Sequence, residues 1–567
     1  MQKIPYGISD YKRLKEENYY FIDKTSYIKE LEDAGSFLMF LRPRRFGKSL
    51  LISMLHYYYD IHYKDRFDEL FSDTYVGKHP TDEVNNFYIL KFDFSGISID
   101  DVNERFRFYV NITFENFIKK YNLDIQLGEN IKDNFYKIFG FLKNNQISLY
   151  ILIDEYDHFA NRLLIQENNN YQELITDSTA FYKEFFTMLK SATAEENSPL
   201  KRIFITGVTP MTMYDVTSGF NIGSNISIKK EFNDMVGITT DEVKDMFNHY
   251  NISNDVLTDT RKWYNNYIFS KGTKHTIFNT DMILYFTKEY IPNNTYPDEM
   301  IDINVRSDYS KLRHLIYTNK KLNGNFDTLR DLLSNNETSI PYLVQDFSAL
   351  NLSEELNFKS LLFYLGLVTI KTQELDLILQ IPNETIKRID SEFVATSLLA
   401  ENILTIDTAE LNKEAKEFAL KGDINLFSYL AKKIEDSSSI RDYIEKESHI
   451  KAMYITYFSL IPYFITRSEA ELNKGFADLF ITPFNPYVKY FAIVELKYIK
   501  RDTKLTKELI QEKLQDAKEQ LDKYEDDELV STYTNKGILL KKVTLVFYGW
   551  ELVKIHIEPT EVGVTRL

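Results

Sequence analysis

Residues 37–60 constrain the fold of this chain more than any other stretch, because a buried strand, a basic loop and a helix follow one another without a break. Phe37-Leu38-Met39-Phe40-Leu41 is an unbroken apolar run of the length of a short strand buried on both faces. Arg42-Pro43-Arg44-Arg45-Phe46-Gly47-Lys48-Ser49-Leu50 follows, and Leu51, Met54, Leu55 and Tyr58 then recur at helical spacing, so a helix begins close to Gly47. Strand, Gly-Lys-Ser and helix in that order form the setting a nucleotide phosphate loop requires. The first N–H groups of such a helix point at an anion, Lys48 adds a mobile positive charge, and Ser49 offers a hydroxyl to Mg²⁺. The usual loop has an earlier glycine where Arg42 stands beside Pro43. A stiffer backbone path is therefore expected, with Arg42, Arg44 and Arg45 replacing part of the anion binding that glycine amides supply. A basic surface turn is the competing reading of the stretch taken alone.

A chain of 567 residues exceeds a single hydrophobic core and divides into about three domains. Its net charge of −16 argues against non-specific coating of nucleic acid and leaves room for a local basic channel. The absence of cysteine excludes disulfides, thiolate zinc sites and a cysteine nucleophile. Residues 1–20 are charged and lack an apolar centre, and the longest apolar region, 452–465, is interrupted by Pro462 and too short for a bilayer. A cytoplasmic protein without a membrane partner is expected.

In chain order, Ile22-Asp23-Lys24 either lines the nucleotide or, with Asp23 or Thr25, caps the next helix. The strand at 87–94 carries Asp93 near its end, where it either faces the site or, the preferred reading, simply ends the strand. Tyr150-Ile151-Leu152-Ile153-Asp154-Glu155 runs an apolar strand into two carboxylates, at the carboxyl edge of a parallel sheet where α/β sites lie. There Asp154 is expected to hold the water shell of Mg²⁺ and Glu155 to polarise the attacking water. Asp157 reads as exposed loop. A fourth strand, 202–209, ends in a polar turn where Thr206 or Thr209 is placed to sense a terminal phosphate. Thr239-Thr240-Asp241-Glu242 starts a capped helix, and Trp263, Tyr264 and Tyr267 read as core. Residues 236–400 alternate short amphipathic helices with a strand pair at 367–372 and 375–381, the composition of a helical lid followed by a winged helix. Helices between 408 and 440 read as a connector.

The last part of the chain holds a second chemistry. Strands at 475–481 and 490–497 put Glu495 and Lys497 on one face, with Val494 and Leu496 on the other. Antiparallel pairing that brings Asp478 to that face would gather two carboxylates and an ammonium, as metal-dependent phosphodiester cleavage needs. Glu445 and His449 stand one turn apart on a predicted helix, Glu445 being the better metal ligand. Gln520 and Tyr524 repeat that spacing on a charged helix at 506–524 and are candidates for the phosphate backbone. A sheet with a surface salt bridge is the plain alternative.

Together the basic Gly-Lys-Ser loop, Ile153-Asp154-Glu155-Tyr156-Asp157, Ile205-Thr206-Gly207-Val208-Thr209-Pro210, Trp263-Tyr264 with Tyr267, and Asp478 with Glu495-Leu496-Lys497 resemble a prokaryotic family. Its members join an AAA-ATPase-like N-terminal domain to a C-terminal PD-(D/E)XK nuclease domain. The resemblance implies an α/β chain: a P-loop ATPase domain over 1–235, a helical lid and winged-helix-like region over 236–400, and connector helices with a nuclease-like domain over 401–567. It implies ATP held by Arg42, Arg44 to Leu50, Asp154 and Thr206, with Mg²⁺ on Ser49 and Asp154. It also implies Mg²⁺ or Mn²⁺ on Asp478, Glu495 and Glu445, with Lys497 beside them, cutting nucleic acid and DNA foremost. In that family the arginine-rich loop is the normal form. This chain departs where Asn265-Asn266 replaces a more usual Asp-Gly, and where Asn473-Lys474-Gly475-Phe476 replaces a basic Gly-Arg pair. The alternative is a signalling or scaffold NTPase whose last domain binds nucleic acid or protein without cutting. The sequence leaves the oligomeric state open.

Overall fold

The apolar runs at 37–41 and 149–154 are central strands of one sheet, which is why they lack the alternation of a half-exposed strand. The strands are β1 (Phe37–Leu41), β2 (Tyr88–Asp93), β3 (Leu149–Asp154), β4 (Leu200–Gly207) and β5 (Ser224–Asn225). They pair in parallel in the order β2-β3-β4-β1-β5. In this computed structural model the described residues are 1–97, 102–158, 181–211, 222–297, 299–305, 317–318, 321–322, 324–348, 351–373, 375–400, 407–436, 444, 446–473, 475–484 and 487–559. Among them no helix is long and apolar enough to cross a membrane.

Among the described residues, helices lie in the crossovers from β1 to β2, β2 to β3 and β3 to β4, as parallel pairing requires. Helix α1 (Lys48–Tyr59) follows the basic loop and packs on β2 and β3, α2 (Val102–Tyr121) on β2, and α4 (Phe181–Thr193) on β4, with α3 (Ile131–Asn144) against α2. Register sets Phe40 beside Thr206 and Ile153 beside Ile205, so β4 separates the strand that feeds the loop from the strand that ends in Asp154. The end of β4 is thus the nearest backbone to both.

Contacts divide the chain into two compact units, Met1–His314 with Ser339–Asn383, and Leu315–Thr338 with Glu384–Leu567. The boundary expected at 235/236 falls inside the first unit, because the segments after it bond to the basic loop. Helix α5 (Thr240–His249) opens on the expected cap, a reciprocal box between Thr239 and Glu242. Asn266 adopts φ +73°, so the departure from Asp-Gly keeps the backbone turn with the residue that tolerates it next best after glycine. Helix α6 (Thr280–Tyr290) follows, then α7 (Glu355–Leu365) and the antiparallel hairpin β6 (Thr369–Gln373) and β7 (Leu377–Gln380). Gly366 ends α7 at φ +77°, and a Cβ there would lie 2.7 Å from Pro43 Cγ, so this corner packs directly on the loop.

The second unit is built on β8 (Phe464–Leu472), β9 (Gly475–Pro483), β10 (Tyr490–Ile499), β11 (Leu539–Tyr548) and β12 (Glu551–Pro559), in that spatial order. Every pair is antiparallel except β10 with β11. Helices α8 (Glu384–Ala400), α9 (Thr408–Lys421) and α10 (Asn425–Asp436) precede α11 (Glu447–Ser459), which packs on β8. Helix α12 (Lys507–Glu525) makes the β10-to-β11 crossover, burying Leu521 and Tyr524 with Phe480, Phe491 and Leu540.

Candidate functional site

The basic loop is folded around its own lysine. Gly47 caps α1 at φ +102° and Arg45 sits at +67°, so the chain doubles back before the helix starts. Lys48 Nζ donates to the carbonyls of Arg42 and Pro43 at 3.0 and 3.1 Å and lies 3.6 Å from Glu155 Oε1. Later segments hold the loop from outside. Gly237 N–H and Thr280 Oγ1 donate to Phe46 O at 3.0 and 2.9 Å, and Arg45 pairs with Asp281 at 2.9 Å. Phe46 is buried edge-on against Tyr267 and Phe269.

Arg42 is not placed to bind an anion, contrary to expectation. Its guanidinium turns into the core between the rings of Phe40 and Phe269, at 4.5 and 4.7 Å. It donates to the carbonyls of Leu41, Ser227 and Phe232, and burial pushes it down to about 9. The residue that replaces glycine is a strut, because the carbonyls after β5 offer acceptors behind the loop. Arg44 and Arg45 differ: Arg44 acts electrostatically on Glu155, and Arg45 lines the cavity described below.

At the ends of β3 and β4, Thr206 Oγ1 donates to Asp154 Oδ1 at 2.6 Å. Glu155, at φ +50°, has its carboxyl pushed up by burial, against the pull of Lys48 and Arg44. Asp157 is a correction: it is fully buried, not exposed, and accepts from Val208 N–H, Thr209 N–H and Thr209 Oγ1 at 3.1, 2.8 and 2.9 Å. Amides leaving β4 need an acceptor, and Asp157 supplies it. The same bond commits the Thr209 hydroxyl, which leaves Thr206 as the threonine beside Asp154. Asp23 accepts from Thr25 N–H at 2.9 Å but does not cap the next helix, Tyr27–Ala34, whose N-cap Ser26 makes no side-chain cap bond, and Asp93 accepts from Ser95 N–H at 2.9 Å as a strand terminus.

A cavity of about 370 Å³ opens over the loop, within the volume range of small-molecule sites. Arg45 to Leu51, Met54 and Glu155 form one wall, and Pro5, Ile8, Tyr20, Phe21, Ile22, Lys24, Val236, Ile238 and Leu284 line the rest. Positive charge at one end and an apolar wall at the other match a nucleotide's phosphates and base. The sequence reading missed Pro5 and Gly7 to Ser9 as part of this wall; the apolar Tyr20-Phe21-Ile22 run was the available signal.

In the second unit, β9 and β10 pair Leu479 with Val494, which brings Asp478 beside Glu495. Asp478 Oδ2 accepts from Leu496 N–H at 2.8 Å, and Lys497 Nζ lies 3.2 Å from Glu495 Oε2 and bonds to Gln520 on α12. Glu495 is pushed up to about 8 by burial and by the adjoining Asp478 carboxylate, with Lys497 opposing. Its Oε1 is buried without a hydrogen-bond donor. Two carboxylates in contact, one with an orphaned oxygen, fit a divalent cation. Among the described residues no group of three acidic or histidine side chains is spaced as a ligand set. Glu445 lies outside the described residues. Glu447, at the start of α11, faces Asp478, Lys497 and Lys451, and accepts from Tyr498 N–H. Its signal in the sequence was the one-turn pair Glu447 and Lys451. Tyr524 donates its hydroxyl to Phe476 O at 3.0 Å, and a Cβ at Gly475 would meet the Tyr524 ring at 2.7 Å.

A phosphate loop on a parallel sheet and an acidic pair with lysine on a mixed sheet define the class, a nucleotide-binding domain joined to a nuclease-like one. Residues 5–217 match the family model described as a predicted AAA-ATPase, and residues 445–557 that of the PD-(D/E)XK nuclease superfamily. The chain thus carries an AAA-ATPase-like domain and a PD-(D/E)XK nuclease superfamily domain. An uncharacterized protein from the vnfD 5′ region of Azotobacter chroococcum is 23% identical over 300 residues, spanning 51% of this chain and 52% of the relative. The Aeropyrum pernix ORC2 protein aligns at 11% identity and a TM-score of 0.34, over 69% of this chain and 98% of that one. Cdc6p from Pyrobaculum aerophilum aligns at 11% identity and a TM-score of 0.20, over 66% of this chain and 91% of that one.

Proposed function

We propose that this chain is an ATP-hydrolysing protein coupled to a metal-dependent nuclease that cuts nucleic acid, DNA foremost. The observation that carries the second half is the buried Asp478–Glu495 pair with Lys497 fixed beside it. In the first domain, Lys48 would exchange the carbonyls of Arg42 and Pro43 for phosphate oxygens, joined by the amides at the start of α1 and by Arg45. Ser49 and Asp154 would hold Mg²⁺, Thr206 keeps Asp154 oriented, and Glu155 would take a proton from water. In the second domain Asp478 and Glu495 would hold Mg²⁺ or Mn²⁺, which when bound lowers the pKa of water and offsets charge on the phosphate. Lys497, steadied by Glu495 and Gln520, would neutralise the phosphate oxygen under attack.

The test is cleavage of mixed DNA and RNA in Mg²⁺ or Mn²⁺, with and without ATP, by the parent, Lys48→Ala and Lys497→Ala. Lys497→Ala should cut at least about 100-fold more slowly and hydrolyse ATP like the parent. Lys48→Ala should lose ATP hydrolysis. A parent that cuts nothing, or Lys497→Ala that cuts like the parent, ends the proposal. One observation favours a second reading, a last domain that binds without cutting: the absence of a third ligand-spaced acid or histidine among the described residues. Mn²⁺ uptake that is lost in Asp478→Asn and Glu495→Gln would rule that reading out.

A further inference from the structure

The proposed cutting reaction does not use Lys451. This lysine sits on α11, is 5% exposed, and places Nζ 2.9 Å from Asp478 Oδ1 while also pairing with Glu469. A lysine rarely enters a core unless paired. The two partners differ in setting: the Asp478 side chain is 11% exposed and that of Glu469 is 39% exposed, so the ammonium stands between an inner and an outer carboxylate.

Glu469 is held there by an unusual backbone. It falls in β8 where the ladder joins Ser468 to Leu479 and Ala470 to Ala477, and is thus set against Asp478, yet it adopts φ +49° and drops out of the pairing. An L-residue with a full side chain avoids that region, and asparagine tolerates it best. Among the described non-glycine residues at positive φ, all are Asn or Gln except Arg45, Glu155 and Glu469. The first two flank the nucleotide cavity, and the third is at the acidic site. Strain kept at such positions by the surrounding structure is a mark of a functional demand.

Resting on the nuclease reading above, we propose that Lys451 is a built-in counter-ion for Asp478 that a divalent cation displaces, with Glu469 as the receiving partner. A cation of charge +2 between Asp478 and Glu495 would repel the adjacent ammonium, and the flexible lysine stem lets Nζ shift outward to Glu469. The pair would then set the affinity of the site for its metal, with Lys451 acting as a competitor and Glu469 as a relief.

The experiment is titration of the full chain with Mn²⁺ alone, without ATP or nucleic acid, following free Mn²⁺ by electron paramagnetic resonance and heat by calorimetry. Lys451→Met should bind Mn²⁺ about tenfold more tightly, and Lys451→Arg should stay close to the parent. Glu469→Gln should bind about three- to tenfold more weakly, because the ammonium then loses its outer carboxylate and leans more on Asp478. Lys451→Met with equal or weaker binding overturns the inference. Should Lys451→Met fail to fold, unchanged affinity in Glu469→Gln overturns it equally. A parent that takes up no Mn²⁺ overturns the nuclease reading and this inference together, whereas a parent that binds beside a Lys451→Met that binds no tighter overturns this inference alone.

Discussion

The two candidate sites treat buried charge in opposite ways. Around the basic loop the buried ions find most of their partners within the chain: Arg42 on three carbonyls with only its Nε unpartnered, Lys48 on two, Asp154 on a threonine hydroxyl, Asp157 on two amides and a hydroxyl. At the acidic pair, Glu495 keeps an oxygen without a donor, and the remaining charge is balanced by Lys451 and Lys497. The first site is a finished scaffold that leaves an open cavity for its ligand. The second keeps one carboxyl oxygen unbonded, which a bound cation would complete. Buried charge that is fully bonded contributes rigidity, whereas buried charge that is not stores a preference for whatever arrives to bond it.

The largest expected effect lies at the finished site. Asp157→Ala strands two buried amides and should cost roughly 3 kcal/mol or more in urea unfolding, with Asp157→Asn recovering part. A loss below about 1 kcal/mol would show that the site does not depend on its internal bonds and would erase the contrast. Next comes Gly207→Ala, whose Cβ would lie 2.5 Å from the Tyr156 ring and 2.6 Å from Asp157 Oδ1. Overpacking against that clamp should cost about 2 kcal/mol, read in the same way. Glu495→Gln should move stability in the opposite direction. In chelator at pH 9, above the value of about 8 to which Glu495 is pushed, it should gain about 1 kcal/mol, because an amide gives Asp478 a donor where two carboxylates then meet, and Mn²⁺ should no longer raise its melting temperature. A metal-free loss of stability would show that the acidic pair is already satisfied.

How much of this was legible in the sequence depended on how local each cause was. The strand at 37–41, the Gly47–Ser49 turn and the strand running into Asp154 carry their own patterns, and the 475–497 hairpin fixes Asp478 against Glu495 by simple alternation. Arg42 was misread because its acceptors, the carbonyls of Ser227 and Phe232, lie far along the chain and only the β1–β5 pairing brings them close. Asp157 looked like loop because the amides it serves, those of Val208 and Thr209, follow β4, far along the chain. Glu445, the expected core-helix acid, lies outside the described residues, and Glu447 at the start of α11 went unremarked because helix phase near a terminus is weakly specified. Asn265-Asn266 was legible as a departure, but its harmlessness became visible only in the φ of Asn266.

The smallest effect asks whether under-bonded charge belongs to the acidic pair or to the second unit as a whole. Asp390, on α8, is 2% exposed with Oδ2 lacking a hydrogen-bond partner, and burial holds its carboxyl well above the usual range. The folded chain therefore keeps this proton at pH values where the unfolded chain, titrating near the ordinary carboxylate value, has released it. Stability from this group is present at low pH and declines as pH rises above about 4, by at most about 1.4 kcal/mol per unit. Lys387, one turn earlier, is pushed down by burial and acts with the opposite sign, in the range below the ordinary lysine value. In chelator, Asp390→Asn should flatten the fall in melting temperature as pH rises from about 3 to about 7, equalling the parent at the acid end and exceeding it at the basic end. An unchanged slope would confine under-bonded charge to the acidic pair, where only a metal has reason to use it.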